Sequence, residues 1–193
     1  MDMIEEHFQQ SSQALGLAAR TPDFMDAIRA STRACVKCLR DGGKLLIAGN
    51  GGSAGDAQHI AGEFLSRLNF DRAPLAAVAL TTDTSVLTAI GNDYGYEHVF
   101  ERQVRGLARP RDVFIAISTS GRSPNILRAL AAGREMGTVN IGLGAAAGEM
   151  RRDCDIYIGV PSTSTPMIQQ IYMVAAHALC GTVEQALFGG AAR

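Results

Sequence analysis

Short apolar runs alternate with longer amphipathic segments along most of this chain. Five runs show no alternation with polar residues, which is typical of strands buried on both faces of a sheet: 44–48, 76–80, 113–117, 139–143 and 156–160. Helical periodicity fills most of the intervals between them. Because parallel strands need crossover connections, the pattern predicts an α/β fold, with a doubly wound five-stranded parallel sheet flanked by helices.

Helical segments also lie outside this alternation, near both ends of the chain. One of them covers 23–39, after Thr21-Pro22, and stops at Gly42-Gly43. Another, 167–187, is apolar on more than one side, which favours a second packing partner. A subunit interface in a homo-oligomer would supply that partner, and burial inside the monomer is the alternative. We expect one domain over 1–193, with N-terminal helices in 1–41 and the α/β core and C-terminal helix in 42–193.

Composition narrows the class of protein. The chain has 193 residues, 47% of them hydrophobic and 19% charged, with a net charge of -1, so it should fold and has no excess of cations for a nucleic acid. An acidic, polar start does not resemble a secretory signal, and no apolar run reaches the roughly 18 residues that span a membrane. We expect a cytoplasmic protein that acts neither on nucleic acid nor in a membrane. Cys35 and Cys38 have redox or metal spacing, but they lie within a helical pattern and are interpreted as structural thiols.

The segment after the third predicted strand is rich in hydroxyl groups. Ser118, Thr119, Ser120 and Ser123 surround Gly121 directly before a helix that starts near Pro124. Unsatisfied N–H groups and the dipole at a helix N-terminus favour a negative charge. A simple N-cap would need only one serine, so this turn predicts a phosphate site.

The segment after the first predicted strand is rich in glycine. Asn50, Gly51, Gly52 and Ser53 let the backbone approach a ligand closely, although a tight turn before a helix is an equally good interpretation. The pattern matches neither a dinucleotide-binding fingerprint nor a Walker loop, which argues against a nucleotide.

Two histidines and a glutamate are candidates for proton transfer or metal binding. His59 and Glu63 are four residues apart on the predicted helix 54–68, so both face one side. Such a pair is more often a surface pair, unless it faces a ligand loop. His177 lies in an apolar stretch, where it is either a satisfied core histidine or part of a site.

Taken together these residues resemble the phosphoheptose isomerases, a branch of the sugar isomerase (SIS) family. The resemblance runs from about residue 42 to the end and is carried by 49–53, 56–59, Glu63, 91–95, 118–123, 166–169 and His177. It implies a SIS-type, flavodoxin-like fold and conversion of D-sedoheptulose 7-phosphate to D-glycero-D-manno-heptose 7-phosphate. That reaction is the first step of ADP- or GDP-heptose synthesis for lipopolysaccharide or other surface glycans. The resemblance also implies a homotetramer with sites at subunit interfaces and one Zn²⁺ per subunit.

The resemblance also assigns roles to individual residues. It implies sugar contacts from Asn50, Gly51, Gly52, Ser53, Asn92 and Asp93, phosphate contacts from Ser118, Thr119, Ser120 and Ser123, and metal ligands at His59, Glu63, Gln169 and His177. An aldose–ketose isomerase moves protons through an enediol, for which Glu63 is the expected base and His177 its acid–base partner. Glutamine is an unusual zinc ligand, so Gln169 is also a candidate for substrate binding.

Gln169 and His177 are eight residues apart, a rise of about 12 Å on a continuous helix. Either the helix begins irregularly near Gln169, or the two residues that meet at one site come from different subunits.

Some positions depart from the family pattern: Gln170, Tyr172 and the turn 144–148. We expect these departures to affect the substrate preference and not the class of reaction. The alternative function is a non-catalytic SIS module, such as the replication-initiator-binding regulators, and retention of Glu63 and His177 argues against it. A sugar-sensing domain of a transcription regulator would need a DNA-binding domain, for which this chain has no room.

Overall fold

A computed structural model describes residues 2–189 and contains one sheet of five parallel strands. The strands are β1 (Leu45–Gly49), β2 (Ala77–Ala79), β3 (Val113–Ile117), β4 (Val139–Ala145) and β5 (Ile156–Val160). They are ordered β2-β1-β3-β4-β5, which confirms the doubly wound, flavodoxin-like prediction. The chain moves outward from β1 in one direction to β2 and in the other to β3. The gap between β1 and β3 is therefore the switch point, where ligands bind in such sheets.

Seven α-helices cover the sheet in the described part of the chain: α1 (Met3–Ala19), α2 (Pro22–Arg40), α3 (Gly52–Leu65), α4 (Thr84–Tyr94), α5 (Val99–Leu107), α6 (Pro124–Met136) and α7 (Thr165–Phe188). Short 3-10 helices span Tyr96–His98 and Glu149–Asp153. The helix predicted over 54–68 begins two residues earlier and ends at Leu65. It begins earlier because Gly51, with φ of 56°, turns the chain directly into the first helical residue.

Alternate strand residues face two separate hydrophobic cores. Leu45 and Ile47 pack with α2, α3 and α7 on one face, whereas Leu46 and Ala48 pack with α5 and α6 on the other. This alternation follows from the two-residue period of a strand, and both faces are apolar because both are covered.

The packing of helix α7 explains its apolar composition. By length and composition alone it could cross a membrane, contrary to the expectation that no such run exists. It packs against α1, α2, α3, β4 and β5, however, and its buried residues recur along its whole length, from Met167 to Glu184. Burial within the chain, the alternative to a subunit interface, therefore accounts for much of its apolar surface.

Helix α1, in contrast, leaves an apolar stripe uncovered. Ile4 and Phe8 are 69% and 72% exposed, and Leu15 continues the same stripe at 42%. The adjoining side of the helix faces α7, where the Ser11 hydroxyl lies 3.5 Å from the sulfur of Met167. Ala18 is the sole buried residue of this helix in the described structure.

The paired cysteines lie inside α2, as predicted. Cys35 and Cys38 are both buried, and neither forms a disulfide. Burial raises the pKa of the Cys38 thiol to about 11, so it is protonated at neutral pH and is a poor nucleophile or metal ligand. These are structural thiols.

Candidate functional site

The loops that follow β1 and β3 meet at the switch point of the sheet. The side-chain amides of Asn50 and Asn125 donate to each other's carbonyl oxygens, at 2.9 and 2.8 Å. The hydroxyl of Tyr96 also donates to the Asn50 oxygen, at 3.3 Å. Asn125 is buried in the first turn of α6, so the glycine-rich loop is fastened to the start of the helix that follows the serine turn.

The serine turn is shaped by its own hydroxyls. Ser118 is buried; its Oγ lies 3.2 Å from the Oγ of Ser123 and accepts from the N–H of Gly121 at 3.1 Å. Ser123 precedes α6 without making a side-chain cap, so its hydroxyl is not used to close the helix. Gly121, with φ of 66°, is required, because an added Cβ would lie 2.9 Å from backbone atoms of Gly148 and Glu149. A phosphate site at this turn stays a prediction.

One face of α3 carries a row of polar side chains. Ser53, Asp56, His59 and Glu63 are spaced by three or four residues, so they lie along the same side of the helix. The Nε2 of His59 lies 3.2 Å from Oε1 of Glu63 and 2.8 Å from Nε2 of His177 on α7. One nitrogen or oxygen from each of the three lies within 4.8 Å of the others. The structure therefore joins His59 and Glu63 to His177, and His177 is not a core histidine.

Gln169 lies farther toward the start of α3. Its Nε2 donates to Oδ2 of Asp56 at 2.7 Å, and its side chain covers Gly52, where an added Cβ would lie 2.6 Å from the same nitrogen. The hydroxyl of Tyr172 donates to the same Asp56 oxygen at 2.8 Å and lies 2.8 Å from Oγ of Ser53. Burial raises the pKa of Tyr172, so its hydroxyl remains protonated at neutral pH.

Helix α7 is continuous from Thr165 through both Gln169 and His177. This continuity shows that the predicted irregular start near Gln169 is wrong. Pro166 does not interrupt the helix, because it occupies the first turn, where a proline is tolerated. Gln169 contacts Asp56 instead of the three residues around His177. A metal-ligand role for Gln169 stays a prediction, as does the contribution of different subunits to one site.

Asn92 and Asp93 stand apart from this arrangement. They lie at the end of α4, where the Asn92 amide donates to the Asp93 carboxylate at 2.8 Å, and both are exposed. Within residues 2–189 neither side chain hydrogen-bonds to the serine turn, the glycine-rich loop or α7. Their predicted sugar contacts stay untested.

Three residues of the site were given no role by the sequence prediction: Asp56, Asn125 and Tyr172. Asp56 precedes His59 by one turn, and Tyr172 follows Gln169 by one turn, so helical spacing carried a signal for both. The partnership of Asn125 with Asn50 joins residues 75 apart and had no local signal.

The residues around His177 fit a divalent metal. Two imidazoles and a carboxylate are a normal donor set for Zn²⁺, and one nitrogen or oxygen from each lies within 4.8 Å of the others. Gln169 contacts Asp56 through its Nε2, so this contact does not use Oε1, the atom that an amide offers to a metal.

Comparison with known proteins places this geometry in a family. The model of the SIS domain matches residues 7–145. A phosphoheptose isomerase of Burkholderia pseudomallei strain K96243 is 56% identical over 86% of this chain and 85% of its own length, and one of Aneurinibacillus thermoaerophilus is 49% identical over 97% and 95%. The solved structure of the phosphoheptose isomerase from Neisseria gonorrhoeae superposes with a TM-score of 0.87 at 40% identity, covering 94% of this chain and 97% of that one. The chain therefore belongs to the phosphoheptose isomerases, a family of SIS-domain enzymes.

Proposed function

We propose that this isomerase converts D-sedoheptulose 7-phosphate to D-glycero-D-manno-heptose 7-phosphate. The observation that carries the proposal is the convergence of His59, Glu63 and His177, from two helices, within 4.8 Å. The names and the high identity of the relatives support the substrate.

The order of groups along the site supports an extended sugar phosphate. The serine turn 118–123 is expected to hold the phosphate through Ser118, Thr119, Ser120 and Ser123. His59 lies seven residues beyond Gly52, a rise of about 10 Å along α3. A ligand that reaches from the turn to His59 must therefore be long, with its carbonyl end remote from its phosphate. Asn50, Ser53 and Gln169 are expected to contact the sugar hydroxyls between the two ends, and Gly51, where an added Cβ would meet nothing within 4 Å, leaves room for them.

The proposed chemistry is a pair of proton transfers. Glu63 removes a proton from C1 of the ketose as O2 gains one, which gives a 1,2-enediol; a proton is then returned to C2 and O1 loses its own. His177 donates the proton that O2 gains and accepts the proton that O1 loses. Glu63 suits the role of base because its side chain is only 16% exposed and is held by His59 at 3.2 Å. The carbonyl moves from C2 to C1, so C2 is reduced as C1 is oxidised within the same molecule and no external redox partner is needed.

His59, Glu63 and His177 would hold a zinc ion. A bound Zn²⁺ would polarise the substrate oxygens as a Lewis acid. Coordination would also lower the basicity of Glu63. One carboxylate oxygen would therefore have to bind the metal while the other accepts the proton.

We further propose that the enzyme works in the cytoplasm as a homotetramer and supplies heptose for lipopolysaccharide or other surface glycans. The uncovered stripe Ile4, Phe8 and Leu15 on α1 supports an oligomer, since an apolar helix face of this kind usually has a partner. Exposure of Asn92 and Asp93 fits a site completed by another subunit.

The test is a direct assay of the purified protein with sedoheptulose 7-phosphate, followed by separation of the two heptose phosphates. We expect turnover with zinc, loss of turnover in a chelator, and recovery when zinc is returned. Tight binding of the sugar phosphate without turnover in the zinc-loaded protein would favour the non-catalytic regulator instead.

A further inference from the structure

The contact between α3 and α7 contains a partly buried polar network. Tyr172 is fully buried, yet its hydroxyl joins Ser53 and Asp56, and Asp56 also accepts from Gln169. These bonds tie the first turns of α3 to α7, next to the predicted sugar contacts. None of the roles given above to site residues uses Tyr172 or Asp56.

The direction of each hydrogen bond follows from the chemistry of the groups. An ionised carboxylate only accepts, so the single proton of the Tyr172 hydroxyl is donated to Asp56. Ser53 must then donate its own proton to the tyrosine oxygen, 2.8 Å away. The order of donation runs from Ser53 to Tyr172 to Asp56.

The same carboxylate orients Gln169. Because Asp56 accepts, the amide of Gln169 turns its Nε2 toward it, at 2.7 Å, and leaves Oε1 directed elsewhere. Beside Gly52 this oxygen lies at the surface of the glycine-rich loop, 3.3 Å from where a Cβ of that residue would be.

We infer that Tyr172 and Asp56 are positioning residues that make this wall of the site accept hydrogen bonds. With the Ser53 proton committed to Tyr172, the Ser53 oxygen has only lone pairs to offer, and the Gln169 oxygen is likewise an acceptor. Both are suited to the O–H groups of a polyol, which donate. The inference rests on the proposed function in that the polyol is a sugar phosphate.

The variant that isolates this role is Tyr172→Phe, which keeps the buried ring and removes one oxygen. Tyr157→Phe is the matched control, since the hydroxyl of Tyr157, on β5, donates to the carbonyl of Ala145 at the end of β4, at 2.7 Å, and takes no part in the network of Tyr172. We expect Tyr172→Phe to lower kcat/KM for sedoheptulose 7-phosphate about tenfold, the effect of one lost hydrogen bond to a charged group. Tyr157→Phe should change it less than twofold, with similar melting temperatures for the two variants.

A double-mutant cycle shows whether Tyr172 acts through Asp56. In an Asp56→Asn background, Tyr172→Phe should lose less than twofold further, because the acceptor that it orients is already altered. Equal losses in both backgrounds, or equal effects of Tyr172→Phe and Tyr157→Phe, would overturn the inference. If Asp56→Asn does not fold, Ser53→Ala provides the background, with the same expectation, because the Tyr172 hydroxyl contacts Ser53 directly.

The inference and the proposed function fail separately. If the wild type binds sedoheptulose 7-phosphate without turnover, the proposed isomerisation is wrong, and the same cycle is run on the dissociation constant from calorimetry. A tenfold weaker affinity in Tyr172→Phe, absent in the Asp56→Asn background, would still support the positioning role. An unchanged affinity in Tyr172→Phe would reject it.

Discussion

At the scale of single residues, the site depends on side chains whose close neighbours leave them little freedom. Gly52 shows this most directly, since the amide of Gln169 occupies the space that any larger residue would need. The pairing of His59 with Glu63 was predictable from helical spacing. The contact of His59 with His177 was not predictable, because it depends on how α7 packs against α3, and the two histidines are more than 100 residues apart in sequence.

Gly52→Ala is expected to lower kcat/KM for sedoheptulose 7-phosphate at least tenfold. The new methyl group would lie 2.6 Å from Nε2 of Gln169 and must displace that side chain or the loop. Steady-state kinetics with a thermal melt measures both effects.

Gly55→Ala is the matched control on the same helix, where an added Cβ meets nothing within 4 Å. It should keep full activity and raise the free energy of unfolding by about 0.5–1 kcal/mol, since alanine favours a helix over glycine. Equal losses of activity in the two variants would contradict the role of Gly52.

At the scale of elements, two contacts hold the ends of α3. At its start, the amide pair of Asn50 and Asn125 joins the glycine-rich loop to α6. Beyond its end, Arg72 donates to the carbonyls of Glu63 and Phe64 at 2.7 Å each and is itself paired with the buried Glu184 of α7. The face of α3 that carries His59 and Glu63 is thereby fixed relative to both the serine turn and α7.

Asn125→Ala is expected to raise KM for sedoheptulose 7-phosphate about tenfold with a smaller effect on kcat. Asn50 would lose its partner, and the two loops would no longer be held together. In a cycle with Asn50→Ala, we expect a coupling energy of about 1 kcal/mol in kcat/KM, as for other contacting residues. Simple additivity of the two variants would contradict the coupling of the loops.

Glu184→Gln tests the second contact through stability. Burial opposes ionisation of Glu184, but the N–H groups of Leu68 and Asn69 outweigh it, and its pKa lies below the ordinary value. A carboxyl with a lowered folded pKa stabilises the fold above its unfolded pKa and loses this contribution as pH falls through the folded pKa. At pH 7 the variant should lose about 3 kcal/mol of unfolding free energy, the cost of breaking a buried pair.

Urea unfolding of wild type and variant measures this difference. The difference in unfolding free energy between wild type and variant should shrink below about pH 4, near the unfolded pKa of glutamate. Glu149→Gln, an exposed residue 3.6 Å from Arg122, should change stability by less than about 0.5 kcal/mol. A gap that is independent of pH would contradict the ionised state of Glu184.

At the scale of the whole molecule, periodicity alone was sufficient to predict five parallel strands, because both faces of the sheet are covered and the strands do not alternate apolar with polar residues. The pattern was less informative about partners. It drew attention to α7, which is buried within the chain, whereas α1 carries the uncovered apolar stripe. An amphipathic pattern predicts that the apolar face of a helix is buried. It does not predict whether the partner is another helix of the same chain or a second subunit, because that depends on the tertiary packing.

Replacing Ile4 and Phe8 by serine is expected to reduce the molecular mass in solution from that of a tetramer to a smaller species. Both side chains are more than two-thirds exposed, and their apolar surface would be the driving force for assembly. Size-exclusion chromatography with light scattering measures the mass. Leu107→Ser, a 44% exposed leucine on α5, is the control, and an unchanged mass in the α1 variant would place the interface elsewhere.

The claim on which these interpretations depend is that Glu63 carries the proton in the isomerisation of a heptose phosphate. The measurement is kcat for sedoheptulose 7-phosphate in Glu63→Gln, with Glu135→Gln, an exposed glutamate at the far end of α6, as control. We predict a loss of at least about 10³-fold in Glu63→Gln, as expected for removal of a general base, and full activity in Glu135→Gln. Undiminished turnover in Glu63→Gln would contradict the account.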